Sequence, residues 1–146
     1  CTPFPNFHRM NPNGQLIISG SCSSGCDATT AYTFEIYSTT VTSTSSLSTA
    51  TWNLYSSSAD RLYDSNLIEL TMLETLFANN PSIMFWKVRF VATTGSVSGS
   101  ASLVLKSNEP PASGTCTIDS LSGYSLSTMF TLSCTNWLDN DGFNDR

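Results

Sequence analysis

Five cysteines, Cys1, Cys22, Cys26, Cys116 and Cys134, one histidine, His8, and the acidic residues Asp139, Asp141 and Asp145 are the groups in this chain with the most chemistry to offer. His8 stands among Pro5, Asn6 and Arg9 with no Ser or Cys nucleophile patterned around it, so a triad lacks its parts. No G-x-S-x-G, Gly-rich phosphate loop or H-E-x-x-H occurs. The sequence therefore predicts no catalytic residues and no cofactor site.

Metal binding fares no better. Cys22 and Cys26 have zinc-like spacing, but a tetrahedral site needs two further thiolate or imidazole ligands, and there is neither a second close Cys pair nor a His beyond His8. The run Asp139-Asn140-Asp141-Gly142 with Asp145 has calcium-loop character, since short acidic loops wrap hard cations with oxygen. Phe143 stands where an EF-hand loop places its third acidic ligand, and no bidentate Glu follows. A solvated turn, which Asn, Asp and Gly favour for local reasons, is the better reading, and no metal is expected. Trp52, Trp86 and Trp137 are candidates for sugar stacking. Trp86 lies in a strongly apolar strand and Trp137 follows a cysteine strand, so both are expected in the core. Trp52, with nearby Tyr55, remains the one carbohydrate-contact candidate.

The cysteines read best as disulfides. Cys116 and Cys134 flank two alternating runs, residues 117–121 and 129–133, joined by the turn-prone Ser122-Gly123, which would lay two strands side by side. They are the natural pair. Cys1, Cys22 and Cys26 are then an odd set. The expectation is a further cysteine just upstream of Cys1, so that two bridges tie the leading segment to the Cys22–Cys26 turn. Opening on Cys1 without an initiator Met, the chain reads as a fragment of a longer protein.

Composition narrows the class. With 146 residues there is room for one ordinary sandwich and a remnant. Charged residues are only 12% of the chain, but hydrophobic residues at 40% suffice for a core, which argues against disorder. A net charge of -5, with only 6 Lys and Arg, excludes a nucleic-acid partner, because phosphate binding needs clustered cations. The most apolar run, residues 83–91, is broken by Lys87 and Arg89 and is too short for a membrane span. Disulfides and sparse charge point to an oxidising, extracellular or cell-surface compartment. No Asn-x-Ser/Thr sequon is present, so glycans here would sit on hydroxyls.

Strand signals dominate the elements that must carry these residues. Leu16, Ile18, Gly20 and Cys22 alternate, as do Tyr32, Phe34 and Ile36, and residues 23–28 read as the hairpin loop between them. Residues 38–51 are nearly all Ser and Thr and fit an edge strand, a loop or a glycan carrier. Residues 66–70 are a strand candidate. Thr71-Met72-Leu73-Glu74 matches a capping box, predicting one helical turn that buries Leu73, Leu76 and Phe77 before Asn79-Asn80-Pro81. The strongest strand follows, with Met84, Trp86, Val88 and Phe90 on one face and Phe85, Lys87, Arg89 and Val91 on the other. Residues 93–99 turn it into a returning strand over 100–105. Asn108-Glu109-Pro110-Pro111 is an extended connector and the expected domain boundary, giving a sandwich over 1–107 and, over 108–146, the first two strands of a second sandwich. The fold class is all-β, an antiparallel sandwich of fibronectin-III or immunoglobulin-like type with one short helical turn.

The C-terminal third also resembles the receptor-for-egg-jelly (REJ) region of polycystin-1-like proteins. Its pattern of Asn, Pro-Pro, Gly, Cys, Gly, Thr-x-Phe, Cys and Trp-x-Asp is met by Asn108, Pro110, Pro111, Gly114, Cys116, Gly123, Thr128, Phe130, Cys134, Trp137 and Asp139. Upstream, NPNGQLIISGSCSSGC followed by AYTFEIY is similar to the same region, which usually carries another Cys shortly before the position of Cys1. The resemblance implies tandem fibronectin-III-like modules in a large ectodomain, acting in adhesion, ligand sensing or association with a polycystin channel. Protein or glycan ligands and neighbouring modules are the partners so implied. The rival reading is a building block of an extracellular glycosylated filament or surface coat, whose partners are copies of itself.

Overall fold

A computed structural model describes residues 7–56, 61–63 and 68–139. Cys1, and Asp141 and Asp145 of the acidic run, lie outside the described residues. The chain divides into two compact units, Cys1–Asn108 and Glu109–Arg146.

In the first unit, strands β1 (Phe7–Met10), β2 (Leu16–Ser19), β3 (Ala31–Thr39), β4 (Asn53–Leu54), β5 (Arg61–Tyr63), β6 (Glu69–Met72), β7 (Phe85–Thr94) and β8 (Val97–Ser107) form two sheets. One is five-stranded in the order β1-β8-β7-β3-β4, the other three-stranded in the order β2-β6-β5. Every pairing is antiparallel except β1 with β8, which run parallel. The core lies between the sheets, where Phe34, Ile36, Trp86, Val88 and Leu105 meet Leu70 and Met72. Period-two alternation gives β7 its two faces. Trp86 and Val88 turn inward, and Phe85 points to the opposite side, where it forms a second cluster with Val104 and Leu47.

That second cluster explains the Ser/Thr-rich stretch. Thr44–Thr49 forms a short 3-10 helix capped by Ser43, and its one large apolar side chain, Leu47, is buried. The helical turn after β6 is also present as α1 (Glu74–Ala78), burying Leu76 and Phe77. The capping box is not. Thr71 remains in β6 opposite Ile17, Leu73 occupies the N-cap, and no side chain caps the helix. Strand pairing has claimed the residue that the local pattern assigned to the cap.

Residues 23–28 do not form a hairpin loop either, because β2 and β3 belong to different sheets and the segment crosses between them. Gly25 takes a left-handed conformation, φ 74°, at its bend. Asp27 accepts from the N–H and hydroxyl of Thr29 at 2.8 and 2.6 Å, and Thr94 donates to the Gly25 carbonyl at 3.3 Å.

The second unit is built on β9 (Thr115–Ile118) paired antiparallel with β10 (Leu132–Thr135). Ala112 and Leu138 prolong the ladder, exchanging N–H to carbonyl bonds of 2.8 and 2.9 Å. The strands occupy residues 115–118 and 132–135 rather than 117–121 and 129–133, and no described residue of this unit is buried.

Candidate functional site

The face of the five-stranded sheet turned away from the main core carries the most varied chemistry among the described residues. At one end it is covered by the 3-10 helix over Leu47, Phe85 and Val104, with Trp52 packed at the margin. The other end is open. There the register sets Glu35 opposite Arg89 and Tyr37 opposite Lys87. Arg89 pairs with Glu35 at 3.2 Å, and the Tyr37 hydroxyl donates to the same Glu35 oxygen at 2.7 Å. Lys87 Nζ sits 4.6 Å from the Tyr37 ring centre and 4.8 Å from that of Trp52, within cation-π range of both.

Both cations respond to that setting. Partial burial holds the Lys87 ammonium below its usual range, Arg89 adds repulsion, and Glu35 opposes both. The Arg89 pKa is raised by its hydrogen bond to Tyr37 first and by the Glu35 charge second. The result is an ordered strip of one anion, two cations and two aromatic rings fixed by cross-strand pairing. Such a strip offers hydrogen bonds and ring faces to a polar ligand but no nucleophile.

Trp52 and Tyr55 do not form a joint platform. Trp52 packs with the outer cluster, whereas Tyr55 packs edge-on against Trp86 in the main core, ring centres 5.4 Å apart, and its hydroxyl accepts from Asn80 at 3.1 Å. Alternation separates them, because residues three apart in extended chain fall on opposite faces. Trp86 is fully buried, as expected. Trp137 is not a core residue. It is 52% exposed, with its indole against Gly114 at the position a Cβ would take there.

Cys116 and Cys134 sit directly opposite each other on β9 and β10 and are disulfide-bonded, Cα atoms 4.0 Å apart. Cys22 and Cys26 bond to each other, not to the leading segment as the cysteine count had indicated. The bend at Gly25 brings their Cα atoms to 6.2 Å, a normal spacing for a disulfide. His8 is exposed on β1. Among the described residues no cluster of three or more His, Cys, Asp or Glu stands close enough to hold a metal. None of their helices is long and apolar enough to cross a membrane.

The motif residues of the second unit interlock. Gly123 leaves room for Thr128, whose hydroxyl accepts from Tyr124 N–H at 2.7 Å, just as Gly114 leaves room for Trp137. A family model, the REJ domain, matches residues 6–143. The chain belongs to the REJ domain family. Comparison with curated proteins returns no match. The REJ match spans both disulfides, the Gly114–Trp137 contact and the outer strip. The strip itself was missed in sequence reading. Glu35, Tyr37, Lys87 and Arg89 each lie on alternating strands, but only the β3–β7 register shows that they meet.

Proposed function

We propose that this REJ domain is an extracellular structural and recognition module of a large polycystin-1-like cell-surface protein, acting in adhesion, ligand sensing or channel-complex assembly through its outer sheet face. The observation that carries the reading is the pairing of four cysteines in a member of this family, since disulfides persist in oxidising compartments and are rare in the cytosol. A non-catalytic role belongs to the same proposal. The strip of Glu35, Tyr37, Lys87, Arg89 and Trp52 suits polar protein or glycan ligands, and the net charge of -5 disfavours nucleic acid.

Membrane-impermeant biotinylation of intact cells expressing the native protein tests the compartment. Labelling without permeabilisation, with both disulfides intact on non-reducing peptide mapping, supports the reading. Labelling only after permeabilisation, or free thiols at all four positions, overturns it. A second reading, a building block of an extracellular filament or coat, draws on the outer edge of β8 over residues 97–103, which has none of the charges or prolines that usually prevent strand pairing.

A further inference from the structure

β8 is longer than its partner on the β1 side. β1 pairs with it only from Val104 to Ser107, and among the described residues no strand lies along the outer edge of residues 97–103. β7, by contrast, accompanies β8 along the whole of that stretch. The hydrogen bonds fix which main-chain groups face the free edge. Ser107 N–H donates to Met84 on the β7 side, and Asn108 N–H donates to Met10 on the β1 side. Odd-numbered residues of β8 thus bond inward to β7, and Ser98, Ser100 and Ser102 turn their N–H and C=O groups outward. The closing pair Thr94↔Val97 across a two-residue turn gives the same parity.

The edge residues carry no defence in their own sequence. Residues 97–103 read Val-Ser-Gly-Ser-Ala-Ser-Leu, without charge or proline, and residues 97–102 are all exposed. Lys, Pro, bulges and inward charges are the usual devices against edge-to-edge pairing, and none is present. The order of side chains is nearly palindromic about Ser100. Gly99 and Ala101 flank it, then Ser98 and Ser102, then Val97 and Leu103.

We infer that the free edge of β8 is a homotypic docking site, at which a second copy of this chain adds its own β8 antiparallel about a two-fold axis through Ser100. In that register Ser98 meets Ser102 of the second copy, Gly99 meets Ala101, and Val97 meets Leu103. Each outward main-chain group finds its counterpart, and small side chains at the centre let the strands approach without collision. The same surface serves both copies, which is the requirement of a closed two-fold interface. Two five-stranded sheets become one continuous sheet. Val97, 73% exposed in the single chain, then reaches the mouth of a cavity of about 280 Å³ bordered by Ile18, Phe34, Val88, Phe90, Ala101 and Leu103. The dimer does not depend on the cell-surface reading, and its test leaves that reading untouched.

Sedimentation velocity of the full 146-residue chain over a wide concentration range, with variants that put charges at paired positions, decides the matter. Combining Ser98→Lys with Ser102→Lys sets like charges face to face twice across the seam and should weaken the dimer roughly tenfold. Combining Ser98→Glu with Ser102→Lys sets opposite charges at the same places and should restore it. Unchanged near-UV circular dichroism checks that each variant is folded. Under mild oxidation Ser100→Cys should cross-link two chains, and Ser98→Cys should not. A monomer at all concentrations overturns the inference, as does a dimer indifferent to these charges. A monomer in which the edge amides are protected from hydrogen exchange by the chain's own leading segment also overturns it.

Discussion

The indole of Trp137 lies against the backbone of Gly114, in the space that any larger residue at 114 would fill. Both lie in the second unit, where no described residue is buried, so this contact is one of the few tertiary constraints on the hairpin. Gly114→Ala should displace the ring and destabilise the unit by about 1–3 kcal/mol, as other small-to-large changes do in tight sites. The check is a change in Trp137 indole N–H shift and faster protease cleavage within residues 109–139. Gly99→Ala, where a Cβ meets nothing within 4 Å, should leave both unchanged.

Removing the Cys116–Cys134 bridge by Ser substitution at both positions should cost about 3 kcal/mol on the chain-entropy account, because it closes an 18-residue separation. Loss of slow amide exchange in β9 and β10, with exchange in β3 and β7 unchanged, is the expected result.

Trp86 is fully buried, and its Nε1–H has no hydrogen-bond partner among the described residues. Trp86→Ala should cost about 3–5 kcal/mol through the cavity it leaves. Trp86→Phe should cost markedly less, since it also removes the unsatisfied donor. Denaturant unfolding of the two variants measures the difference.

Asp119 accepts from Thr131 N–H at 3.0 Å, and this bond holds its carboxyl below the ordinary value of 3.8. A depressed carboxyl pKa stabilises the folded form above the unfolded value, and the gain is lost as pH falls through the folded pKa. Hairpin amide protection should therefore decline on acidification below about pH 4. In Asp119→Asn that decline should be absent.

Trp52→Ala uncovers Lys87. Because burial is the first cause of the lowered Lys87 pKa, its titration midpoint should move back up toward 10.5, as read from its side-chain NMR shifts. Glu35→Gln should change stability by no more than about 1 kcal/mol, since the Arg89 pair is partly solvent-exposed.

Periodicity of two in the sequence was enough to set the all-β class, the two faces of β7 and the inward position of Trp86. The pairing of Cys116 with Cys134 was also legible as that of two neighbouring strands, although the strands lie at Thr115–Ile118 and Leu132–Thr135 and the turn falls at residues 125–127 rather than at Ser122-Gly123. Alternation states which residues share a face, but it does not state which sheet a strand joins. The crossing of residues 23–28 between sheets, the Cys22–Cys26 bond and the separation of Trp52 from Tyr55 therefore appeared only in three dimensions. Thr71 shows the same limit, since a local capping pattern lost to strand pairing. Residues 38–51 read as an edge strand, a loop or a glycan carrier, and only the structure shows Leu47 buried against Phe85 and Val104 beneath a short 3-10 helix. The outer strip rests on the β3–β7 register, which joins Glu35 to Arg89, 54 residues apart along the chain, and no local pattern encodes a contact over that distance.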